Sequence, residues 1–387
     1  MNHNRVQMEI DLDAVRNNVD AMLARMNPET KMMAVVKADG YGHGAREIAA
    51  FLEDEDRIFG FAVATSDEAY ELRRHGINKP ILILGYSFPE EYPAMVRLGI
   101  RPTIFSREAA LAYDKAADQA GLIAPVHIKI DTGMSRIGFQ VDESDLEEIV
   151  EIAGLSHLRL EGIFTHFARA DERDKTSAYE QADLFRHAID RLEEAGVQFE
   201  IHHCSNSASI MELPDLNMDM VRAGISLYGL WPSEEMDPGF PLAPVMSLRS
   251  HITHLKTLTD GRCISYGGSY RVKGRKKIAT IPVGYADGYA RGLSNKGFVL
   301  IRGQRAPIVG RICMDQFMVD VSALDEICVG ETVTLLGEDQ GSRIDLEELG
   351  RLSGRFNYEF ACLLGNRRVP KVFLKGGRIV SVREDLR

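Results

Sequence analysis

Short apolar runs and longer helical stretches alternate from residue 31 to about residue 225. Each run of Val, Ile, Leu, Phe or Met is followed by a segment rich in Ala, Leu, Glu and Arg with helical spacing. Alternation of this kind indicates parallel strands joined by right-handed crossovers. The pattern predicts a (β/α)8 barrel, with an open doubly wound sheet as the alternative. The eight runs are Met32–Val36, Ile58–Val63, Ile81–Leu84, Pro102–Phe105, Val126–Ile130, Leu158–Phe164, Phe199–His203 and Met218–Ala223.

The pattern changes after a proline-rich stretch at residues 231–244. Short β-branched runs separated by Gly or Asp turns then predict a second, mainly β domain, with one helix near Asp345–Ser353. The opening run Val6–Ile10 is a strand candidate that could pair with this domain. We therefore expect a barrel at residues 11–240 and a β domain built from residues 1–10 and 241–387.

Composition excludes several classes of function. The 387 residues include 57 Asp plus Glu and 46 Lys plus Arg, a net charge of −11, which argues against nucleic-acid and acidic-membrane partners. No stretch resembles a signal peptide or a membrane span, so we expect a cytoplasmic protein. Five widely spaced cysteines without a C-x-x-C pair are interpreted mostly as reduced core thiols.

Polar residues end or follow several of the apolar runs. In a (β/α)8 barrel the active site lies at the carboxyl ends of the strands, so these residues should share one rim. The first and eighth strands should be neighbours through closure of the barrel. The residues in question are Lys37, Lys129, Asp131, His166, Asn206, Ser207 and Arg222.

Lys37 directly follows the apolar run Met32–Val36. A lysine at the end of a buried strand is desolvated, which lowers its pKa and frees the amine for Schiff-base chemistry. The alternative is a lysine that extends to solvent at the barrel lip. The loops after the seventh and eighth strands, at Ser207 and at residues 222–226, are where barrels often bind phosphate. Ordinary N-capping by Ser207 is the alternative there. A Schiff-base lysine combined with a phosphate site suggests pyridoxal 5′-phosphate.

A metal site is not predicted. His202, His203 and Cys204 are adjacent in sequence, but neighbours on a strand point to opposite faces. We assign no metal to them.

Nine stretches spread over nearly the whole chain resemble the alanine racemases, which are pyridoxal-phosphate enzymes with a barrel and a C-terminal β domain. They occur in the order found in that family. The stretches are residues 35–44 (VVKADGYGHG), 127–138 (HIKIDTGMSRIG), 165–168 (THFA), 206–208 (NSA), 221–225 (VRAGI), 265–268 (SYGG), 282–288 (PVGYADG), 313–316 (CMDQ) and 358–359 (YE).

The resemblance implies that Lys37 holds the cofactor as an aldimine and serves as one catalytic base. Tyr266, from the second domain of a partner subunit, is implied as the other. Two bases are needed because the α-hydrogens of the two enantiomers lie on opposite faces of the planar aldimine. An ordinary tyrosine has a pKa of about 10, so ionising it at pH 7 costs about 4 kcal/mol. In the family, help comes through a hydrogen-bonded line from this tyrosine to His166 and on to Arg222.

Arg222 is implied to face the pyridine nitrogen of the cofactor. A guanidinium only donates, so that nitrogen stays unprotonated and proton return to the α-carbon is favoured over transamination. Arg136 is implied to contact the cofactor's phenolic oxygen and the substrate carboxylate. Lys129 resembles the family's carbamylated lysine, and a plain buried lysine beside Asp131 is the alternative.

The remaining implied site residues hold the phosphate or line the substrate pocket. Met314 and Asp315 are implied to come from the second subunit, and Tyr285 to narrow the entrance to small side chains. The implied phosphate ligands are Tyr41, Ser207, Gly224, Ile225 and Tyr358.

The sequence thus predicts a homodimeric racemase that interconverts L-alanine and D-alanine and supplies D-alanine for peptidoglycan. A racemase with broader specificity, for example for serine, is an alternative because a pocket distinguishes one added hydroxyl weakly. A non-catalytic pyridoxal-phosphate carrier and a metabolic sensor or binding module are alternatives from other classes.

Overall fold

The computed structural model describes residues 5–385. Residues 1–4 and 386–387, which the sequence assigned to the β domain, lie outside the described residues. The chain forms two compact units. The barrel unit comprises Asn17–Gly40 and Ala45–Leu242. The β unit comprises the described residues up to Arg16, the segment Tyr41–Gly44 and the described residues from Ala243 onward.

The chain begins with strand β1 (Val6–Asp11) and helix α1 (Leu12–Leu23). The strands of the barrel unit then follow: β2 (Lys31–Val35), β3 (Ile58–Val63), β4 (Ile81–Ile83), β5 (Ile100–Ile104), β6 (Ala124–Lys129), β7 (Leu158–Phe164), β8 (Ile201–His203) and β9 (Met220–Ala223). The helices of this unit are α2 (Ala45–Leu52), α3 (Ser66–Arg74), α4 (Tyr92–Arg97), α5 (Arg107–Ala120), α6 (Glu143–Ala153), α7 (Thr176–Glu194) and α8 (Ser207–Glu212).

The eight barrel strands are parallel and lie in the order β8-β7-β6-β5-β4-β3-β2-β9. Strand β2, the first barrel strand along the chain, pairs with β9, the last one, and Met33 lies opposite Arg222. Strands β8 and β9 lie at the two ends of this order. The Arg222 amide of β9 donates to the carbonyl of Ser205, which follows β8, at 3.0 Å, and this contact nearly closes the barrel. Strands that are covered on both faces consist of continuous apolar residues. Strand β2 is an example, because its residues 32–35 are all buried. The predicted (β/α)8 barrel is confirmed, and the open doubly wound sheet is wrong.

The β unit is built mainly from antiparallel strands, in sheets of eight, three and two strands. Its first strand, β1, pairs antiparallel with Met246–His251 and parallel with Lys371–Lys375. The strands after the barrel are β10 (Met246–His251), β11 (His254–Leu258), β12 (Cys263–Ile264), β13 (Tyr270–Arg271), β14 (Lys276–Ile281), β15 (Phe298–Ile301), β16 (Gln304–Pro307), β17 (Phe317–Asp320), β18 (Thr332–Asp339), β19 (Ser342–Ile344), β20 (Lys371–Lys375) and β21 (Arg378–Arg383).

The β unit contains two helices where the sequence predicted one. Helix α9 (Leu346–Ser353) is the predicted helix, and α10 (Asn357–Leu364) was missed. Helix α10 buries Asn357, Phe360, Ala361 and Leu364, which is helical spacing. A short, mostly apolar run of this length does not by itself distinguish a helix from a strand.

The cysteines differ from the expectation. All five are free, but only Cys204 is buried, whereas Cys263, Cys328 and Cys362 are exposed. The interpretation as mostly core thiols is therefore wrong, because these three lie on the surface of the β unit. Within residues 5–385, no helix combines the length and apolar character needed to cross a bilayer. The cytoplasmic location stays a prediction.

Candidate active site

Lys37 begins a left-handed turn immediately after strand β2. Ala38, Asp39 and Gly40 have φ angles of 52°, 53° and 63°, in the left-handed region. For residues with a Cβ this conformation costs roughly 1–2 kcal/mol each, so it persists only where neighbouring groups hold it. The Gly40 amide donates to the Val36 carbonyl at 2.8 Å and closes the turn.

Glu68 holds the turn from helix α3. Its Oε1 accepts the Ala38 amide at 2.6 Å, and its Oε2 accepts the Ala64 amide at 2.7 Å. Glu68 is also the third helical residue of a capping box with Thr65. This carboxylate therefore ties the backbone next to Lys37 to the end of strand β3. Glu68 was not among the predicted site residues, although its T-x-x-E capping signature is visible in the sequence.

Lys129 is buried at the end of strand β6. Its side chain is 2% exposed, and its Nζ donates to the Ile130 carbonyl at 2.5 Å. Burial, with the charges of Arg222 and Arg136, lowers the pKa of Lys129 to about 7, although the Asp131 carboxylate opposes the shift. A substantial fraction of this amine is therefore neutral at physiological pH.

Arg222, in strand β9, is almost fully buried and tied back to the barrel. Its Nη1 donates to Nδ1 and to the carbonyl oxygen of His203, at 2.9 and 3.0 Å. Its Nη2 donates to the carbonyls of Thr165 and Cys204 at 2.7 and 3.0 Å and contacts Nδ1 of His166 at 3.3 Å. Burial lowers the pKa of Arg222 to about 10, so it remains a cation at neutral pH. Among residues 5–385, its Nε–H has no hydrogen-bond acceptor.

His166, which follows strand β7, is neutral at physiological pH. Burial and the nearby charges of Arg222, Arg136, Lys129 and Lys37 hold its pKa well below the ordinary value. Because Arg222 can only donate, a proton on Nδ1 of His166 would face the guanidinium N–H groups 3.3 Å away, so the single ring proton is assigned to Nε2, which is then a donor. Arg136 is exposed and has no hydrogen-bond or ion-pair partner among the described residues.

The electrostatics of the barrel rim favour an anionic ligand. Four cationic side chains, Lys37, Lys129, Arg136 and Arg222, are close enough to depress the pKa of one histidine. Across residues 5–385, no group of three or more His, Cys, Asp or Glu side chains is placed to hold a metal ion.

The loops after β8 and β9 meet at Ser207. Its hydroxyl oxygen accepts the backbone amides of Gly224 at 2.9 Å and Ser226 at 3.4 Å. Helix α8 is N-capped by Asn206, whose side chain accepts the Ser209 amide. N-capping by Ser207 is therefore wrong as an explanation of this residue. Ser207, Gly224 and Ile225 are all buried. The Gly224 amide donates to Ser207, whereas the Ser207 hydroxyl proton and the Ile225 amide are donors suited to phosphate.

Tyr41 and Tyr358 lie together in the β unit. Their ring centroids are 6.0 Å apart in an edge-on arrangement, and Phe356 stacks on Tyr358 at 4.5 Å. The backbone of Gly42 packs closely on α10, where a Cβ would lie 2.5 Å from the Ala361 carbonyl oxygen. The chain can take this path only with glycine at position 42.

The other predicted residues of the β unit are exposed. Tyr266, Met314 and Tyr285 are 71%, 53% and 43% exposed, although each is a large side chain. Tyr266 begins a short 3-10 helix (Tyr266–Gly268) after Ser265, whose φ is 65°.

Asp315 is oriented by Arg368, whose Nη2 donates to Asp315 Oδ1 at 2.6 Å. Arg368 also donates to the fully buried carboxylate of Asp287 at 3.1 Å, which Arg5 contacts as well. This ion-pair network fixes the loop that carries Asp315. Arg5, Asp287 and Arg368 were not among the predicted site residues.

The predicted residues thus fall into two sets. Tyr41, Tyr266, Tyr285, Met314, Asp315 and Tyr358 belong to the β unit. Lys37, Lys129, Arg136, His166, Ser207, Arg222, Gly224 and Ile225 belong to the barrel unit, at or after the carboxyl ends of its strands. A barrel with this cationic rim and phosphate-type donor set has the features of an enzyme that binds a small phosphorylated ligand.

Comparison with known proteins identifies the family. Residues 10–232 match the family model "Alanine racemase, N-terminal domain", and residues 245–373 match "Alanine racemase, C-terminal domain". An alanine racemase of Desulforamulus reducens is 46% identical over 367 residues, which cover 95% of this chain and 98% of the relative. A solved structure of alanine racemase from Clostridium difficile 630 has a TM-score of 0.95 at 42% identity, covering 100% of both chains.

The chain belongs to the alanine racemases, which are pyridoxal-phosphate-dependent isomerases. An alanine racemase structure from Bartonella henselae, with covalently bound pyridoxal phosphate, has a TM-score of 0.85 at 28% identity. It covers 96% of this chain and 100% of that one.

Proposed function

We propose that this chain interconverts L-alanine and D-alanine as a homodimer, with pyridoxal phosphate held covalently by Lys37. The main support for the proposal is the hydrogen bonding of Arg222. Its two terminal nitrogens are bonded to protein acceptors, whereas its Nε–H has no acceptor among the described residues. A buried cation with one unused donor matches the unprotonated ring nitrogen of this cofactor.

The residues of the barrel unit fit the remaining parts of the cofactor. The Lys37 amine supplies the covalent attachment. The Ser207 hydroxyl and the Ile225 amide supply donors for the phosphate, beside Gly224, whose own amide donates to Ser207. Tyr41 and Tyr358 supply phenolic donors from the β unit. When bound, the cofactor provides an electron sink that makes the α-hydrogen of alanine acidic.

Lys37 and Tyr266 are the two proposed bases, one for each face of the substrate. Lys37 takes or returns the α-proton on one face, and Tyr266 does so on the other. His166 assists Tyr266, because its Nε2–H can donate to an ionised phenolate oxygen and stabilise it. The guanidinium of Arg222, 3.3 Å from Nδ1, disfavours a proton there and so keeps it on Nε2.

Substrate recognition is assigned to Arg136 and to three residues of the β unit. The guanidinium of Arg136, which has no partner among residues 5–385, is suited to a carboxylate. Met314 and Asp315, contributed by a second copy of the chain, line the pocket, with Asp315 oriented by Arg368 of its own chain. Tyr285 narrows the entrance to small side chains. The relatives compared above are all named as alanine racemases, which favours alanine over serine as the substrate.

The homodimer is proposed because Tyr266, Met314 and Tyr285 are exposed in one chain, and a second copy would bury them. We expect complementation between inactive variants. Mixing Lys37→Ala with Tyr266→Phe and reassembling the dimers should restore activity to about a quarter of the wild-type sites, if Tyr266 serves the partner's Lys37. Steady-state racemisation before and after mixing measures this.

Each variant taken alone through the same reassembly is the control. An inactive mixture, with hybrid dimers shown to be present by mass spectrometry of differently tagged chains, would contradict a shared site.

Carbamylation of Lys129 is the second prediction about this site. The neutral amine reacts with CO₂ to form a carbamate and release a proton, and a pKa of about 7 makes the neutral form available at physiological pH. The carbamate would place a carboxylate near Arg136, which could then be held by a charge-assisted bond. We expect a carbamate carbon signal in the ¹³C NMR spectrum after equilibration with ¹³C-bicarbonate at pH 8.

This signal should weaken below pH 7, where the amine is protonated, and it should be absent from Lys129→Ala. Lys31→Ala, which removes an exposed lysine of strand β2, is the matched control and should keep the signal. A wild-type protein without the signal at pH 8 would show that Lys129 remains a plain amine.

The most direct test of the function is a chiral assay. Purified protein with pyridoxal phosphate should convert L-alanine to an equal mixture of the enantiomers, with lower rates on serine and lysine. A protein that binds the cofactor without racemising any of the three would instead be a carrier. We propose that D-alanine made in this way supplies peptidoglycan synthesis.

A further inference from the structure

A line of buried polar side chains runs from Arg222 into the barrel. Nη1 of Arg222 lies 2.9 Å from Nδ1 of His203, and Nε2 of His203 lies 2.9 Å from Nδ1 of His127. Nε2 of His127 lies 3.1 Å from Oε2 of Glu161. The two histidines are fully buried, and Glu161 is 3% exposed. Burying unpaired polar groups costs free energy, so the pairing of these side chains with one another stabilises the barrel.

Every hydrogen bond of this line is donated in the same direction, from Arg222 toward Glu161. Arg222 can only donate, so Nδ1 of His203 must be an unprotonated acceptor. The proton of His203 is then on Nε2, which donates to Nδ1 of His127. His127 in turn carries its proton on Nε2 and donates to the Glu161 carboxylate. Every nitrogen along the line is satisfied when both imidazoles are neutral.

The electrostatics agree with this assignment. Burial lowers the pKa of His127, and burial together with the charge of Arg222 holds the pKa of His203 well below its usual value. Burial would raise the pKa of Glu161, but hydrogen bonds from His127 and Arg101 hold this pKa well below the ordinary range. Arg101 binds the carboxylate through two nitrogens, at 2.5 and 3.0 Å, and Arg159 donates at 2.7 Å. Glu161 is therefore a fixed anion at the far end of the line.

We propose that His203, His127 and Glu161 are positioning residues of the active site, which fix the orientation of Arg222 through this one-way line of hydrogen bonds. His203 accepts both N–H groups of Nη1, one at its ring and one at its carbonyl. A guanidinium is planar, so fixing Nη1 and Nη2 also fixes the direction of Nε–H. The inference rests on the proposed function, in which that N–H faces the cofactor's ring nitrogen.

Gly162 explains how the line fits into the barrel. A Cβ at this position in strand β7 would lie 2.4 Å from Nδ1 of His127 and 2.6 Å from its Cε1. Any side chain there would displace the imidazole. On the other side, the ring of Phe164 stacks on His203 with centroids 4.8 Å apart, which restrains that imidazole. Gly162 therefore leaves the space that the imidazole of His127 occupies.

The test combines ¹⁵N-histidine NMR with kinetics on the full-length protein. The signal of His203 is assigned by its loss in His203→Phe. In the wild type, His203 and His127 should both show the tautomer protonated at Nε2, with Nδ1 unprotonated. These spectra are recorded without substrate, so they decide the hydrogen-bond line even if the protein fails to racemise alanine.

Two variants interrupt the line without touching Arg222. Gly162→Ala should displace His127, and His127→Phe should remove it, which leaves Nε2–H of His203 without an acceptor. His203 should then gain a population protonated at Nδ1, and kcat for alanine should fall about tenfold with little change in KM. His127→Phe serves if Gly162→Ala does not fold. Gly239→Ala is the matched control, because a Cβ at this exposed position would meet only the Asp237 side chain.

Two results would overturn the proposal. One is a wild-type His203 protonated at Nδ1. The other is a loss of kcat that follows only the loss of folded protein, while His203 in the folded fraction keeps its Nε2 proton. A wild-type protein with the expected tautomers but no racemase activity would support the hydrogen-bond line and contradict the proposed function.

Discussion

Replacing Lys37 by alanine is expected to abolish racemisation and the visible absorption band of the bound cofactor together. The variant loses both the covalent attachment and one of the two bases. Because a single acid–base group contributes roughly 10²–10⁴-fold, we expect the rate to fall by more than about 10³-fold. Absorption spectra of the reconstituted protein and a chiral assay on both enantiomers measure the two effects.

The Lys31→Ala variant is a matched control for this experiment. Lys31 begins strand β2 and is exposed, and its Nζ donates to the Asp56 carbonyl at 3.3 Å. This variant should keep both the band and the activity. If Lys37→Ala retained the band at full intensity, the attachment at Lys37 would be wrong.

Replacing Tyr266 by phenylalanine is expected to leave a protein with one base. The equilibrium constant between enantiomers is one, so kcat/KM must fall equally in both directions, by roughly 10²–10⁴-fold. Exchange of the α-hydrogen with solvent need not fall equally. The enantiomer whose hydrogen faces Lys37 should still exchange with retention of configuration, and the other should not.

Proton NMR in D₂O, started separately from L-alanine and D-alanine, measures this inequality. Tyr266 is 71% exposed in one chain, so loss of its hydroxyl should change the free energy of unfolding of the single chain by less than about 0.5 kcal/mol. Tyr270→Phe, in the nearby strand β13, is a control for loss of a phenol and should exchange both enantiomers normally. Equal residual exchange from the two enantiomers in Tyr266→Phe would contradict the two-base assignment.

The barrel was predictable because its strands are buried on both faces. Continuous apolar runs such as residues 32–35 give a clear signal, and alternation with helical segments leaves few topologies. Helix α10 was missed because its eight residues are too few and too apolar for periodicity to decide. The exposure of Cys263, Cys328 and Cys362 could not be inferred either, since cysteine is chemically compatible with core and surface positions.

The site was predictable only in part. Lys37, Lys129 and Arg222 were identifiable because charged residues at the ends of apolar strands are unusual. The partners that orient these residues were not, because contacts such as Glu68 with Ala38 depend on which side chains meet in three dimensions. His203 illustrates the difference. The sequence assigned it no role and no metal, whereas the structure pairs it with Arg222 and His127.

The covalent attachment of pyridoxal phosphate to Lys37 can be examined by chemical trapping. The protein loaded with cofactor is reduced with borohydride, digested and mapped by mass spectrometry. We expect a single phosphopyridoxyl label, on the peptide that contains Lys37. A label on Lys129 or another lysine, or a stoichiometrically loaded protein that carries no label after reduction, would contradict it.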